Sequence, residues 1–277
     1  MARISVTSDL HLGITAEAVI LGLARAIAAE GPDLTILAGD IGEGLAAFRR
    51  CLSLFSTLPG AVGVVAGNHD LWARQGYRQG YTSEQLWSTE LPAVTRGAGA
   101  LRLEEEGWSK DGVGVLGSVA WYDYSACTRS PPWLPASYYA KRKSRVVRDA
   151  QMLDRDWDDL AFARRVGAGL VARLAAFDAD PAIDAILVAT HVPLFKAQRA
   201  RPPVHVSRAS WAYFANLTLG DQVRKSPKVR AVCSGHTHWG AEGVVARPPL
   251  APIELVTLAS DYGAPTFRCF EVNRDRR

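Results

Sequence analysis

The chain has 277 residues, 48% of them hydrophobic, which suits one large α/β domain with a sizeable core. Its 32 basic and 28 acidic residues leave a net charge of only +4, so no global field argues for nucleic acid as a partner. No run approaches the ~18 apolar residues of a membrane span, and Met1 leads almost at once into the strand-like RISVTS, so a cytoplasmic protein without a signal peptide is expected. Cys51, Cys127, Cys233 and Cys269 form no C-x-x-C pair and are expected to be reduced, structural thiols.

In chain order, the β-branched run at Ile4 to Thr7 predicts a strand, followed by a helix over about 16–30 that stops at Gly31-Pro32. LTILAGD predicts a second strand, the stretch from Glu43 to Leu58 a second helix ended by Pro59-Gly60, and AVGVVAGNHD a third strand. ALRLEEEG and GVGVLGSVAW read as paired strands with glycine turns. Residues 121–159 are aromatic, proline-containing and charged, and the second half continues as a helix to about Phe177. A single domain over 1–277 with an insertion or lid at about 121–165 is therefore expected. IDAILVATHV and VRAVCSGHTH predict strands separated by a helix over about 210–224, with three more strands near 243–246, 253–258 and 266–272. Strand and helix alternate throughout, as in an α/β fold whose sheets carry helices on their outer faces.

What ends these strands is chemically specific. ISVTSDLH finishes in Asp9 and His11, LTILAGD in Asp40, VGVVAGNHD in Asn68, His69 and Asp70, AILVATH in His191, and VRAVCSGHTH in His236 and His238. Functional groups in α/β sheets gather beyond the carboxyl ends of strands, so these ends can share one crevice. Carboxylate, amide and imidazole donors without thiolate favour manganese or iron, with zinc, cobalt and nickel also compatible. These are too many ligands for one tetrahedral ion and suit two, sharing the carboxylate of Asp40, which follows Gly39 at a strand end.

The ordered series DLH, GD, GNHD, THVP and GHTH, from Asp9 to His238, resembles the calcineurin-like metallophosphoesterases. The resemblance implies a four-layer αββα sandwich, two mixed β-sheets flanked by helices, with a two-metal hydrolytic site. By the same resemblance Asp9, His11, Asp40 and His238 would hold one ion, and Asp40, Asn68, His191 and His236 the other. The chain departs from the family's G-D-x-x-D-R block, having Glu43 in the acidic place and Gly44 where the arginine would stand. That departure concerns only how the ligands are oriented. Glu43 reads equally well as a first-turn helix residue favoured by the helix dipole.

The implied reaction is phosphomonoester or phosphodiester hydrolysis by a metal-bridging hydroxide held between two divalent ions. His69 is the expected general acid and Asp70 the carboxylate accepting a hydrogen bond from its ring. The substrate is expected to be a small phosphoester, a nucleotide among the candidates. Arg199 and Arg201, beside Lys196, could contact its anionic part, and Tyr122 and Tyr124, beside Trp121, could stack on a ring, with Trp72 and Tyr77 open to the same reading. His205 reads as a surface histidine, and the charged run from Lys141 to Asp159 as a solvated helix face with Arg145–Asp149 and Arg155–Asp159 pairs. The alternative to an enzyme is a catalytically silent interaction scaffold on the same fold, but such scaffolds lose ligand residues and this chain keeps all seven.

Overall fold

The computed structural model describes residues 1–74, 80–128, 134–199 and 208–272. Its strands are β1 (Ala2–Thr7), β2 (Leu34–Ala38), β3 (Ala61–Val65), β4 (Leu101–Arg102), β5 (Trp108–Lys110), β6 (Val113–Ser118), β7 (Ala185–Thr190), β8 (Val229–Ser234), β9 (Ala241–Arg247), β10 (Leu250–Thr257) and β11 (Phe267–Val272). They form a five-stranded sheet, β11-β1-β2-β3-β4, and a six-stranded sheet, β5-β6-β7-β8-β10-β9. Neighbours are parallel except at β11, β5 and β9, which pair antiparallel at sheet edges. ALRLEEEG and GVGVLGSVAW are therefore not partners: β4 joins the first sheet, while β6 pairs with β5 and β7 in the second.

Alternation along each strand sorts side chains into two cores. Ile4 and Val6 of β1, Leu34 and Ile36 of β2, Leu187 and Ala189 of β7 and Ala231 and Cys233 of β8 meet between the sheets. Leu37, Ile186, Val188 and Val232 face the other way, into the helices. Strands apolar on both faces read as continuous hydrophobic runs, which is how this sequence reads. Each of the valine, leucine and isoleucine side chains, fully buried, contributes about 1.5–3 kcal/mol of transfer free energy.

The helices are α1 (Glu17–Ala29), α2 (Leu45–Phe55), α3 (Ser83–Gln85), α4 (Leu91–Gly97), α5 (Ser125–Thr128), α6 (Ala136–Arg142), α7 (Asp149–Met152), α8 (Asp159–Ala179) and α9 (Leu217–Val223). In α1, Ile20, Ala24 and Ile27 recur at helical spacing and face the core. A π-helical turn over Leu86–Glu90 joins α3 to α4, a stretch for which no element was expected although Thr82 and Gln85 form a capping box. α2 begins at Leu45, after Gly44 in a left-handed, non-helical conformation, so Glu43 lies outside the helix and is no first-turn residue. The helix expected over 210–224 is broken into a 3-10 segment, Arg208–Tyr213, and α9, because Asn216 caps α9 by accepting the Leu219 N–H. No helix among the described residues is long and apolar enough to cross a membrane.

Candidate active site

The carboxyl ends of β1, β2 and β3 in one sheet and β7 and β8 in the other open at the same end of the sandwich. Asp9, His11, Asp40, His236 and His238 all have φ between 44° and 68°. Non-glycine residues rarely adopt this left-handed conformation, and it is a mark of strained functional sites. Here it turns the chain sharply at each strand end and aims the side chains inward. Close packing demands glycine between them: a Cβ on Gly39 would collide with the His191 ring, and one on Gly67 with the Asp40 carboxylate.

Four histidines each use one ring nitrogen on an outer acceptor. His11 donates Nδ1–H to Glu43 Oε1 at 2.7 Å, His238 faces Asp261 Oδ1 through Nδ1 at 3.3 Å, His191 donates Nδ1–H to the Ala38 carbonyl at 3.0 Å, and His236 donates Nε2–H to the Tyr213 carbonyl at 2.9 Å. These partners assign the proton outward, which leaves each inner nitrogen facing the centre. Asn68 donates its Nδ2 to Asp149 Oδ1 at 2.9 Å, so its Oδ1 points to the same centre.

The inner atoms fit a cation. Asn68 Oδ1 lies 2.9 Å from both His191 Nε2 and His236 Nδ1, those nitrogens are 3.2 Å apart, and His191 Nε2 is 3.4 Å from Asp40 Oδ1. Adjacent ligands ~2.1 Å from one ion are about 3.0–3.4 Å from each other. On the other side of Asp40, His11 Nε2 is buried without a hydrogen-bond partner, 3.6 Å from Asp40 Oδ2, and His238 Nε2 is 3.6 Å from Asp9 Oδ1. Donor atoms of Asp9, His11 and His238 lie within 4.8 Å of one another, as do those of Asp9, Asp40 and His191. Burial would raise Asp40, yet His191, His69 and His11 hold its carboxyl well below the usual range. Burial opposes charge on His191 too, and Asp40 overrides it and raises the imidazole to about 9, while burial and His191 push His236 down to about 4. The buried carboxylates of Asp9 and Asp40 favour positive charge beside them, which divalent cations would supply.

His69 belongs to the same cavity. Its ring stacks on Trp72 with centroids 3.5 Å apart, its backbone N–H donates to Asp40 Oδ1 at 2.9 Å, and its Nδ1 donates to Glu43 Oε1 at 2.9 Å. The expectation that Asp70 orients this ring is corrected. Asp70 turns away and accepts the backbone N–H groups of Ile41, Gly42 and Gly67, so Glu43 is the partner of both His11 and His69. Burial first, then Asp40, raises Asp70 to about 7, while burial on His69 is outweighed by Asp40 and Glu43, which raise its imidazole above the ordinary value.

The run from Lys141 to Asp159 is not a solvated helix face. Lys143, Asp149 and Asp159 are buried; Lys143 Nζ pairs with Asp159 at 2.7 Å and Arg155 with Asp159 at 2.9 Å, but among the described residues Arg145 makes no ion pair with Asp149. Asp149 instead accepts from Asn68, from Trp72 Nε1 at 2.8 Å and from the Tyr122 hydroxyl at 2.7 Å. Burial would raise its carboxyl, and Lys143 with these donors brings it below the ordinary value. Tyr122 and Tyr124 are corrected as ring binders: both are buried, Tyr122 on Asp149 and Tyr124 on Asp159, and Trp121 Nε1 also donates to Asp159. Arg199 stands over the Trp211 ring at 5.0 Å and is not among the residues that line the site. Arg201, His205 and Tyr77 lie outside the described residues.

A cavity of about 350 Å³ covers the cluster, with His69, Trp72, Arg148 and Asp149 on one wall and Phe214, Trp239 and Tyr262 among the others. Sequence motifs did not single out Asp149, Arg148, Asp261 or Tyr262; Asp149 and Arg148 sit inside a charge block and carry no local signature.

An αββα sandwich with aspartate and histidine groups placed to bind metal at one end is the architecture of a metal-dependent phosphoesterase. The family model for calcineurin-like phosphoesterases matches residues 2–240, and the chain belongs to that family, whose members carry a dimetal site. Among solved structures, the phosphopantetheinyl hydrolase PptH of Mycobacterium tuberculosis is similar at 19% identity and TM-score 0.71, over 94% of this chain and 89% of that one. A dimetal phosphatase of Danio rerio is similar at 15% identity and TM-score 0.52, over 93% and 87%. A protein of Thermus thermophilus is similar at 9% identity and TM-score 0.54, over 95% and 90%. These likenesses establish the fold. Among curated proteins none matches the chain in sequence.

Proposed function

We propose that the chain hydrolyses a small phosphomonoester or phosphodiester at a dinuclear centre, with His69 as the general acid. Asp9, His11, Asp40 and His238 would hold one divalent ion and Asp40, Asn68, His191 and His236 the other, with manganese or iron the foremost candidates. Bound there, the ions would neutralise phosphoryl oxygens and acidify water. The observation that carries this reading is the inward convergence of four imidazole nitrogens on the oxygens of Asp9, Asp40 and Asn68, beside a fifth histidine in the same cavity.

The chain's own groups do the rest. Glu43 holds the His69 Nδ1–H, which together with Asp40 favours the charged ring and leaves Nε2–H directed at the leaving oxygen. Trp72 and the Asp40 contact to the His69 backbone fix the ring's position. Asp149 fixes which face of the Asn68 amide meets the ion. Asp149→Asn should weaken metal affinity by about 10–100-fold, as measured by chelator competition. Affinity equal to that of the unaltered protein would remove Asp149 from this role.

The direct test is hydrolysis of p-nitrophenyl phosphate and bis-p-nitrophenyl phosphate by metal-stripped protein with manganese returned. Turnover that depends on added metal supports the reading, and the ratio of the two esters assigns monoester or diester preference. No turnover with any of the five candidate metals would favour the scaffold instead.

A further inference from the structure

Arg148 is the one lysine or arginine among the described residues that line the cavity. It is exposed, and its guanidinium stands 5.3 Å from the Trp72 ring. Three other arginines of this region do have carboxylate partners: Arg74 pairs with Asp154, Arg155 with Asp159 and Arg165 with Glu84. Arg148 pairs with no carboxylate among the described residues, and two acids of the same cavity are engaged elsewhere, Asp149 by three donors and Asp261 by His238. A guanidinium held over an aromatic face keeps its planar fork free for an anion.

Its placement relative to the reaction is specific. His69 stacks on the same Trp72 ring, so Arg148 and the proton donor both adjoin that ring in the cavity lining. If His69 protonates the leaving oxygen, Arg148 lies beside the leaving group rather than beside the phosphoryl group taken by the ions. A volume of about 350 Å³ is at the small end for ligand pockets and suits a small molecule. We propose that the substrate is a small phosphoester whose leaving group carries a second anionic group, and that Arg148 binds it. This rests on the hydrolytic reading above and adds the substrate class.

The test measures kcat/KM of the metal-loaded protein on matched esters: adenosine 3′-phosphate against adenosine 3′,5′-bisphosphate, and phenyl phosphate against 4-carboxyphenyl phosphate. The unaltered protein should favour the doubly anionic ester by about tenfold or more, chiefly through KM. Arg148→Ala should bring that ratio close to one, and Arg148→Lys should retain part of it, because the charge remains and the fork is lost. Preference in both pairs assigns a general anion subsite; preference for the bisphosphate alone assigns a phosphate subsite. No preference in the unaltered protein, or an equal loss on every ester in Arg148→Ala, overturns the inference and leaves the phosphoesterase standing. Absence of turnover on all four esters would overturn both.

Discussion

Asp40→Asn is expected to abolish turnover and to reduce bound metal to less than one ion per chain. Both oxygens of Asp40 are committed: Oδ1 accepts the His69 backbone N–H and faces His191 Nε2 at 3.4 Å, and Oδ2 faces His11 Nε2 at 3.6 Å. Asparagine keeps the volume but removes the negative charge at the position between the two ligand sets. It also turns an NH2 group toward one of the facing imidazoles, and an unmatched buried polar group of this kind costs about 1–3 kcal/mol. Elemental analysis and kcat on p-nitrophenyl phosphate read both effects together. Full metal content, or turnover within an order of magnitude of the unaltered protein, would remove Asp40 from the shared position.

His69→Ala should leave metal binding in place and lower kcat by about 10²- to 10⁴-fold on an alkyl phosphate, which needs its leaving oxygen protonated. The loss should be much smaller on p-nitrophenyl phosphate, whose leaving group departs without a proton. Glu43→Gln tests the support of that histidine. Asp40 and Glu43 together raise the His69 imidazole above its ordinary value, so the acid form persists to higher pH than in a free histidine. Removing the Glu43 charge lowers that value, and activity on the alkyl ester should then fall at lower pH as pH rises. A loss independent of leaving group in His69→Ala would assign the ring a structural place only.

Much of the site was legible because its groups are tied to strand ends. An apolar run that stops at Asp9, Asp40, Asn68, His191 or His236 places its own last residue beyond the sheet, and parallel strands put those ends at one edge. The left-handed backbone at Asp9, His11, Asp40, His236 and His238 is not legible, since composition carries no φ. Glu43 was readable as an acidic residue at the right spacing, but its task was not: only the fold brings it to His11 and His69 at once. Asp70, adjacent to His69 in sequence, was the natural partner by proximity and lost to Glu43 because three backbone N–H groups claim its carboxylate.

The segment from Trp121 to Asp159 was least legible. Tyr122 and Tyr124 stand near a strand end, where stacking on a ring and packing into the core or rim are both open, and Asp149 and Asp159 look like members of a solvated charge run. In the fold they satisfy one another in the interior, four buried groups whose hydrogen bonds cross from strand end to helix. Long-range pairing of this kind leaves no periodicity to read. The same segment supplies the cavity wall that carries Arg148.

The most direct measurement is a count of ions. The stripped protein, titrated with manganese by calorimetry and checked by elemental analysis, should take up two ions per chain, and turnover of p-nitrophenyl phosphate should rise with their occupancy. One ion per chain at full activity, or two ions bound equally well by Asp40→Asn, would contradict a dinuclear centre built on that carboxylate.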